Sequence, residues 1–306
     1  MRNAFAAAVT ALAEADPRVV LLSADIGNRL FDAFKARFPD RFYNCGVAEA
    51  NMTGMAAGMA LCGLRPFTYT ITPFATVRAL EQIRVDVCYH RAPVTVVGTG
   101  SGLSYASLGA THHSCEDVAL LRSLPNMTVL CPADAAEVRQ AVAAVLTQDG
   151  PVYLRLGKKG EPAVHQHPPA FAIGKGIILR EGTDVCLLGL GTMVAPALDA
   201  AAILLAHGVQ ARVVSMHTVK PLDDELLRDV FRRFPIVAVV EEHSPVGGLG
   251  SSIAEWLAAH GLPAPRLLGF NTPDAFLCEA GSQEYFRRRL GLTAEAIARR
   301  ILEARS

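Results

Sequence analysis

Residues 3–22, NAFAAAVTALAEADPRVVLL, place an Ala-rich segment of helical spacing directly before a short apolar run at Val19–Leu22. The run is bounded by Asp16-Pro17 on one side and by Ser23 on the other. A short apolar run between turn residues is typical of a strand that is buried on both faces. A buried strand next to a helical segment is the repeating unit of a parallel sheet covered by helices.

The same alternation continues along the chain in two stretches. Up to about residue 160, it predicts strands at Val19–Leu22, Val94–Val97 and Met127–Leu130, with helices over 3–14, 47–62, 75–88 and 134–147. From Asp184 onward, it predicts strands at Val185–Gly189, Ala211–Ser215, Ile236–Glu241 and Arg266–Gly269, with helices over 194–207, 223–232, 251–260 and 293–304. We therefore expect two doubly wound α/β domains, at residues 1–160 and 177–306, joined by a Gly- and Pro-rich linker over 161–176.

The composition excludes several classes of protein. With 29 basic and 29 acidic side chains the net charge is zero, which argues against nucleic acid or an anionic membrane as the main partner.

Glu14, Asp16 and Pro17 interrupt the apolar N-terminal segment, so it is interpreted as an amphipathic helix and not as a signal peptide. The cysteines are scattered and form no C-x-x-C pair, which predicts reduced thiols in a cytoplasmic protein. They are Cys45, Cys62, Cys88, Cys115, Cys131, Cys186 and Cys278.

Candidate functional residues follow the predicted strands, where α/β proteins bind ligands. Asp25 comes just after Val19–Leu22 and is either a helix cap or a ligand contact. Glu49 opens a strongly apolar helix. It is either an acid stabilised by the helix dipole or a poorly hydrated carboxylate that shares a proton with a ligand nitrogen. Phe74 lies where a loop leads into a helix, and it is either a core residue or a stacking platform for a flat ring.

A long loop, GTGSGLSYASLGATHHSCED, follows the strand at Val94–Val97 and contains four glycines before His112 and His113. A loop of this length is more often functional than structural, and histidine suits proton transfer near neutral pH. A zinc site is the competing interpretation, but it lacks further ligands at a recognisable spacing. His165 and His167 in the linker are predicted to be exposed and incidental.

Two glycine patterns imitate a dinucleotide-binding fingerprint. Gly189-x-Gly191 and the run Gly247–Gly250 each follow a predicted strand. Neither has the full G-x-G-x-x-G spacing with an acid about 20 residues later. Both are interpreted as turns that let a helix pack close to the sheet.

Four segments together resemble transketolases and 1-deoxyxylulose-5-phosphate synthases over essentially the whole chain. They are GVAEANMTGMAAGMALCGLRPF at 46–67, the loop around Phe74, GATHHSCEDVALLRSLPNMTVLCPADAAE at 109–137 and DGPVYLRLGK at 149–158. The resemblance implies a pyrimidine-binding domain of the thiamine diphosphate fold, followed by a transketolase C-terminal domain.

The resemblance also implies roles for the cofactor-site residues. Glu49 matches the glutamate that bonds the aminopyrimidine ring of thiamine diphosphate, and Phe74 matches the aromatic that stacks on that ring. Asp25 matches an acid near the cofactor. Ile71 and Val77 stand where transketolases often have further aromatics, so the cofactor wall is expected to be more aliphatic.

The substrate positions depart more from the family pattern. His112 matches the histidine that contacts substrate and helps proton transfer, whereas His113 stands where glutamine is common. Lys158 falls where the family has an arginine for the substrate phosphate, with Arg155 nearby. Leu108 replaces an aspartate that contacts a substrate hydroxyl. These changes predict a substrate other than the common sugar phosphates.

The sequence contains no Gly-Asp-Gly motif, which these enzymes use to bind the diphosphate and Mg²⁺ in another domain. The resemblance therefore implies a two-chain transketolase, with an N-terminal subunit that carries the diphosphate-binding domain and an α2β2 assembly. No metal ligand is expected in this chain. The implied reaction is transfer of a two-carbon ketol unit from a ketose donor to an aldose acceptor. The alternatives are the β-subunit of a 2-oxoacid dehydrogenase and a noncatalytic subunit of the same fold.

Overall fold

The computed structural model describes residues 1–27, 29–262 and 265–305. Within these residues the strands are Val19–Ser23 (β1), Phe42–Asn44 (β2), Arg65–Ile71 (β3), Thr95–Thr99 (β4), Thr128–Leu130 (β5), Val152–Leu156 (β6), Ile177–Arg180 (β7), Val185–Gly189 (β8), Ala211–Ser215 (β9), Thr218–Lys220 (β10), Ile236–Val240 (β11) and Arg266–Phe270 (β12). The α-helices are Arg2–Ala15 (α1), Asp32–Arg37 (α2), Glu49–Leu61 (α3), Thr72–Thr76 (α4), Leu80–Gln82 (α5), Asp117–Ser123 (α6), Ala135–Ala144 (α7), Val194–Ala206 (α8), Asp224–Arg233 (α9), Leu249–His260 (α10), Gln283–Arg289 (α11) and Ala294–Arg305 (α12). A π-helix spans Ile83–Tyr89, and short 3-10 turns lie at Pro39–Arg41, Ala106–Leu108, Val145–Thr147 and Gly191–Met193.

The strands form two sheets, each parallel except for one edge strand. The first has the order β10-β5-β6-β4-β3-β1-β2, and the second has the order β12-β11-β8-β9-β7. The antiparallel strands are β10 in the first sheet and β7 in the second. Helices cover both sheets, which confirms the predicted α/β class with two sheets.

The second half of the chain contributes to the first sheet. Strand β10 follows β9 of the second sheet after two residues, yet it pairs with β5, with Thr218 opposite Leu130. One continuous apolar cluster also runs through both halves, including Val129 and Tyr153 from the first and Leu188 and Val239 from the second. Because a strand and a core are shared, the two sheets are held firmly against each other.

Helix α1 follows the predicted amphipathic pattern. Its buried side chains, Phe5, Val9 and Ala13, recur every four residues and therefore lie on one face. Phe5 stacks on Tyr69 of β3 with ring centroids 5.6 Å apart. This packing explains why the N-terminal segment is a core helix.

Several sequence predictions of elements are wrong or incomplete. The predicted helix 75–88 is three pieces, α4, α5 and the π-helix Ile83–Tyr89. Five strands were not predicted, namely β2, β3, β6, β7 and β10, and neither were the helices α2, α6 and α11. Strands β3 and β6 are buried although they include polar residues, such as Thr68 and Arg155, which breaks the expected apolar run.

Both glycine turns are confirmed as structural. A Cβ on Gly189 would lie 2.9 Å from Cα of Val194, so the glycine lets α8 pack against β8. The backbone N–H groups of Leu249 and Gly250 donate to the Glu241 carboxylate over 2.8 and 3.0 Å. The N-terminus of α10, where a dinucleotide phosphate would bind, is thus filled by the protein's own carboxylate.

One histidine of the pair in the segment before β7 differs from its prediction. His167 is exposed, but the His165 ring is buried and lies 2.8 Å from Glu137 Oε1.

Among the residues that the structure describes, no helix is long and apolar enough to cross a membrane.

Candidate functional site

Glu49 lies at the start of α3 with only 2% of its surface exposed. Nη1 of Arg78 donates to both carboxylate oxygens, over 3.1 and 3.0 Å. An acid in the first turn also benefits from the free N–H groups and dipole of the helix. Both interpretations of Glu49 agree with the structure. The residue is an acid at a helix N-terminus, and its carboxylate is poorly hydrated.

Phe74 of α4 lies next to this ion pair. The guanidinium carbon of Arg78 is 4.0 Å from the Phe74 ring centroid, so Arg78 touches both Glu49 and the aromatic ring. Phe74 lies on α4 and Arg78 lies four residues later, in the turn that follows the helix, and this spacing brings the two side chains together. Arg78 was not predicted as a site residue, although this spacing was a usable signal.

His112 packs edge-on against Phe74. Its ring centroid is 5.2 Å from that of Phe74 at an interplanar angle of 68°. Burial lowers the pKa of His112 below its ordinary value, and the nearby charges of Arg78 and His113 lower it further. Its Nδ1 is hydrogen-bonded to Thr111 Oγ1 at 2.9 Å. A largely neutral imidazole at neutral pH is able to accept a proton.

Tyr105 connects Lys158 to this group. The Lys158 ammonium lies 4.2 Å from the Tyr105 ring centroid, and the Tyr105 ring is 6.2 Å from the His112 ring. Gly100 has a φ of +77°, and a Cβ there would lie 2.0 Å from the Tyr105 ring. Glycine at this position therefore lets the tyrosine fold over the backbone. Tyr105 was also missed by sequence reasoning, although it is the aromatic of the Gly-rich loop.

Asp25 and Ile71 lie at the same edge of the first sheet, at the carboxyl ends of β1 and β3. Asp25 is exposed and has a φ of +53°. Its carboxylate accepts a hydrogen bond from Asn44 Nδ2 over 3.0 Å, and its N–H donates to Asn44 Oδ1 over 3.1 Å. Ile71 is half-buried and pairs with Thr99. Both residues lie at the sheet edge that also carries the group formed by Glu49, Phe74, Arg78 and His112.

His113 and Arg155 are not brought into this group. His113 is buried, its Nε2 is 3.1 Å from the carbonyl oxygen of Ala106, and its ring packs on Phe286. Arg155 is buried as well, and its Nε donates to Asp117 Oδ2 over 2.7 Å. The structure thus places these two side chains in the interior between the halves of the chain.

A buried carboxylate, a half-buried aromatic face and an imidazole with a lowered pKa suit a flat, nitrogen-containing ring. The ring would stack on Phe74 while a ring nitrogen shares a proton with Glu49. Among the described residues, no group of three or more His, Cys, Asp or Glu side chains is arranged to hold a metal ion. The carboxylate, the aromatic face and the imidazole fit the organic ring of a cofactor.

Comparison with known proteins identifies the chain's relatives. The family described as "Transketolase, pyrimidine binding domain" matches residues 1–161, and "Transketolase, C-terminal domain" matches residues 174–297. A putative transketolase C-terminal section of Methanocaldococcus jannaschii is 37% identical over 306 residues, which cover 99% of this chain and 95% of the relative. A 6-deoxy-6-sulfo-D-fructose transketolase subunit of a Clostridium species is 39% identical, over 98% of this chain and 92% of the relative.

A solved structure described as a split-gene transketolase, inactive beta4 tetramer, superimposes with a TM-score of 0.89 at 40% identity. The match covers 99% of this chain and 97% of the other. Family matches to both halves, relatives of nearly equal length and the shared fold agree with one another. The chain therefore belongs to the transketolase family, with a pyrimidine-binding domain followed by a C-terminal domain in the arrangement of a split transketolase subunit.

Proposed function

We propose that this chain is one subunit of a two-chain transketolase, which transfers a two-carbon ketol unit from a ketose donor to an aldose acceptor with thiamine diphosphate. The observation that carries the proposal is the buried Glu49 carboxylate at the start of α3. Arg78 links it to the Phe74 ring, which packs on His112. We further propose the division into residues 1–160, the linker 161–176 and residues 177–306.

When bound, thiamine diphosphate supplies the electron sink for breaking and forming the bond beside a ketose carbonyl. The protein residues orient it and move protons. Phe74 offers a face for the aminopyrimidine ring, and Glu49 exchanges a proton with a nitrogen of that ring. Arg78 donates to both oxygens of the Glu49 carboxylate and so holds its orientation. His112, with its lowered pKa, is suited to take a proton from a substrate hydroxyl.

The surface beside the site supports the need for a partner chain. Exposed apolar side chains lie just before α3, on α3 and along the helices that follow it, namely Val47, Met55, Leu61, Val77 and Tyr89. Val47 is two residues from Glu49, and Val77 precedes Arg78. Exposed apolar residues beside a site, such as Val47 and Val77, are typical of a protein–protein interface. We propose that the N-terminal transketolase subunit covers this surface, holds the diphosphate and Mg²⁺, and completes an α2β2 assembly.

Two further points support this division of labour. The 306 residues contain no Gly-Asp-Gly motif. The relative of known structure is described as inactive when it is a tetramer of β-subunits. We propose that this chain alone is likewise inactive, and that the complex works in the cytoplasm.

The substrate is proposed to be a modified sugar. Leu108 is 52% exposed at the end of a 3-10 turn in the His112 loop, and it offers no hydrogen-bond acceptor. Lys158 provides a single point charge for an anionic group, with less defined geometry than an arginine fork. The Clostridium relative is named for a sulfonated deoxy sugar, which supports a specialised substrate for this kind of subunit.

The test is reconstitution with the chain encoded by the neighbouring reading frame, provided that it contains Gly-Asp-Gly. Calorimetry should find weak thiamine diphosphate binding by this chain alone and tight, Mg²⁺-dependent binding by the complex. Ketol transfer should appear only in the complex. Tight binding by the isolated chain would contradict the need for a partner. Release of carbon dioxide from pyruvate would favour the 2-oxoacid dehydrogenase alternative, and inactivity with every sugar pair would favour a noncatalytic subunit.

A further inference from the structure

The loop that carries Tyr105 and His112 rests on a buried carboxylate from the other half of the chain. We propose that Glu242 and Arg287 are positioning residues that set the place of this loop over the candidate active site. The proposal rests on the proposed function, because it assigns these residues a role in ketol transfer. It follows from four features of the interface between the halves.

The loop is closed at its base. The N–H of Gly102 donates to the carbonyl oxygen of Ser114, and the N–H of Ser114 donates to that of Gly102, each over 3.0 Å. These two bonds form an isolated antiparallel bridge. Residues 103–113 therefore form one closed loop, and we expect movement of its base to move His112 as well.

Glu242 lies directly under this base. It follows β11, and only 1% of its surface is exposed. Its Oε2 accepts a hydrogen bond from the N–H of Leu103 over 2.9 Å. Gly102 has a φ of +60°, and a Cβ there would lie 2.4 Å from Glu242 Oε2. The loop backbone thus packs against the carboxylate without an intervening side chain.

Helix α11 fixes the carboxylate from the opposite side. Nε of Arg287 donates to Glu242 Oε1, and Gln283 Nε2 lies 3.1 and 3.0 Å from the two carboxylate oxygens. Arg287 also donates to Thr192 Oγ1 over 3.1 Å. The same helix buries Phe286, which lies in one apolar cluster with Leu103. One helix therefore contacts the base of the loop through Glu242 and its interior through Phe286.

The position of Glu242 in the second sheet explains why it can take this role. Thr192 follows β8 and Glu242 follows β11, and these two strands are neighbours in the order β12-β11-β8-β9. In open α/β sheets, ligands bind at the carboxyl ends of the strands, where the chain connections reverse direction. Here that crevice holds the loop base and Arg287. The second half thus uses its natural ligand position to hold the loop of the first half.

Glu242 is fully buried and Arg287 is 20% exposed, so the cost of desolvating the carboxylate offsets much of their attraction. The hydrogen bonds of the carboxylate do have direction, and Glu242 accepts them from both the loop and α11. We therefore expect the pair to matter more for the position of His112 than for the free energy of unfolding. Displacement of a catalytic group by about 1 Å can lower a rate by on the order of 100-fold.

The first experiment compares Arg287→Ala, Arg287→Lys and Arg288→Ala in the two-chain complex. Arg288 is the matched control, because it is the next residue of α11 and its pair with Glu284 is exposed. We expect Arg287→Ala to lower kcat about 10-fold or more while KM for the donor changes little. Arg287→Lys should recover part of kcat, and Arg288→Ala should match the parent. An unchanged kcat for Arg287→Ala overturns the proposal, as does a loss in kcat equal to that of Arg288→Ala.

The second experiment follows the loop in the isolated chain and does not depend on the reaction. The pKa of His112 is read by NMR, with its signal assigned through a His112→Gln variant. Release of the loop should move this pKa upward toward its ordinary value in Arg287→Ala but not in Arg288→Ala. If Arg287→Ala does not fold, Glu242→Gln is used, since it keeps the size and an acceptor for Leu103. If the folded variant has the same His112 pKa as the parent, the positioning role of Glu242 and Arg287 is overturned. If no complex transfers a ketol unit, the parent complex included, only the proposed function is overturned.

Discussion

Replacement of Glu49 by glutamine separates a catalytic carboxylate from a structural one. Glutamine keeps the shape of the side chain and one oxygen that can accept from Arg78. It loses the negative charge and cannot exchange a proton with a ring nitrogen. We expect Glu49→Gln in the two-chain complex to abolish most ketol transfer while leaving the protein folded.

The size of each effect follows from the site. Arg78 is 46% exposed, so water screens its attraction to Glu49, and loss of the charge should cost about 1 kcal/mol of folding free energy. That corresponds to a drop in Tm of roughly 2–4 °C. Loss of a proton-transfer group lowers rates by about 100-fold or more, which is roughly 2.7 kcal/mol of transition-state stabilisation. The catalytic effect should therefore exceed the structural one clearly.

The assay measures kcat and Tm for the complex containing the parent, Glu49→Gln or Glu81→Gln. Glu81 is the matched control, because it is an exposed acid in the neighbouring α5 and pairs with Arg84. The control should retain parental activity. Activity of Glu49→Gln within a few-fold of the parent would refute the reasoning, since Glu49 would then only stabilise the start of α3.

Three further predictions address the aromatic face, the pH dependence and the substrate. Phe74→Ala should weaken thiamine diphosphate binding in calorimetry by roughly 0.5–1.5 kcal/mol, with little change in Tm; a large drop in Tm at unchanged affinity would make Phe74 a core residue. Burial favours a lower pKa for His165, but the hydrogen bond and charge of Glu137 outweigh it and raise the pKa above its ordinary 6.5. The stabilisation from this pair should be complete below about pH 6 and should be lost as the pH rises through the raised pKa. His165→Gln should therefore lower Tm at pH 5.5 more than at pH 8.5. The exposed control, His167→Gln, should show no such difference between the two pH values. Leu108→Asp should raise kcat/KM for xylulose 5-phosphate relative to deoxy analogues by roughly 10-fold, from a hydrogen bond of about 1–3 kcal/mol; an unchanged ratio would show that Leu108 does not face the substrate.

The elements that the sequence predicted well are those whose burial shows in the local pattern. Val19–Leu22 of β1 and Ile236–Val240 of β11 are continuous apolar runs because helices cover both faces of a parallel sheet. Arg65–Ile71 was not predicted, because its buried positions include threonine and tyrosine. Thr218–Lys220 could not be predicted locally, because its partner, β5, lies in the other half of the chain.

Prediction of the site was limited in the same way. Glu49, Phe74 and His112 could be named from their places after strands and in loops, and the structure brings these three together. His113 and Arg155 are adjacent or near in sequence to residues of the group, yet their side chains point into the interior. Adjacent residues can face opposite directions, and the sequence pattern does not show which one faces the site.

The sequence by itself determined the α/β class and the family resemblance, and it named most of the chemical groups of the candidate site. These depend on local periodicity and on motifs that keep their spacing along the chain. Only the tertiary structure decided which groups meet. Arg78 reaches Glu49 across 29 residues, and Leu103 reaches Glu242 across 139. Such contacts depend on how two sheets pack, which is set by the summed burial of many side chains and leaves no signal at either residue alone.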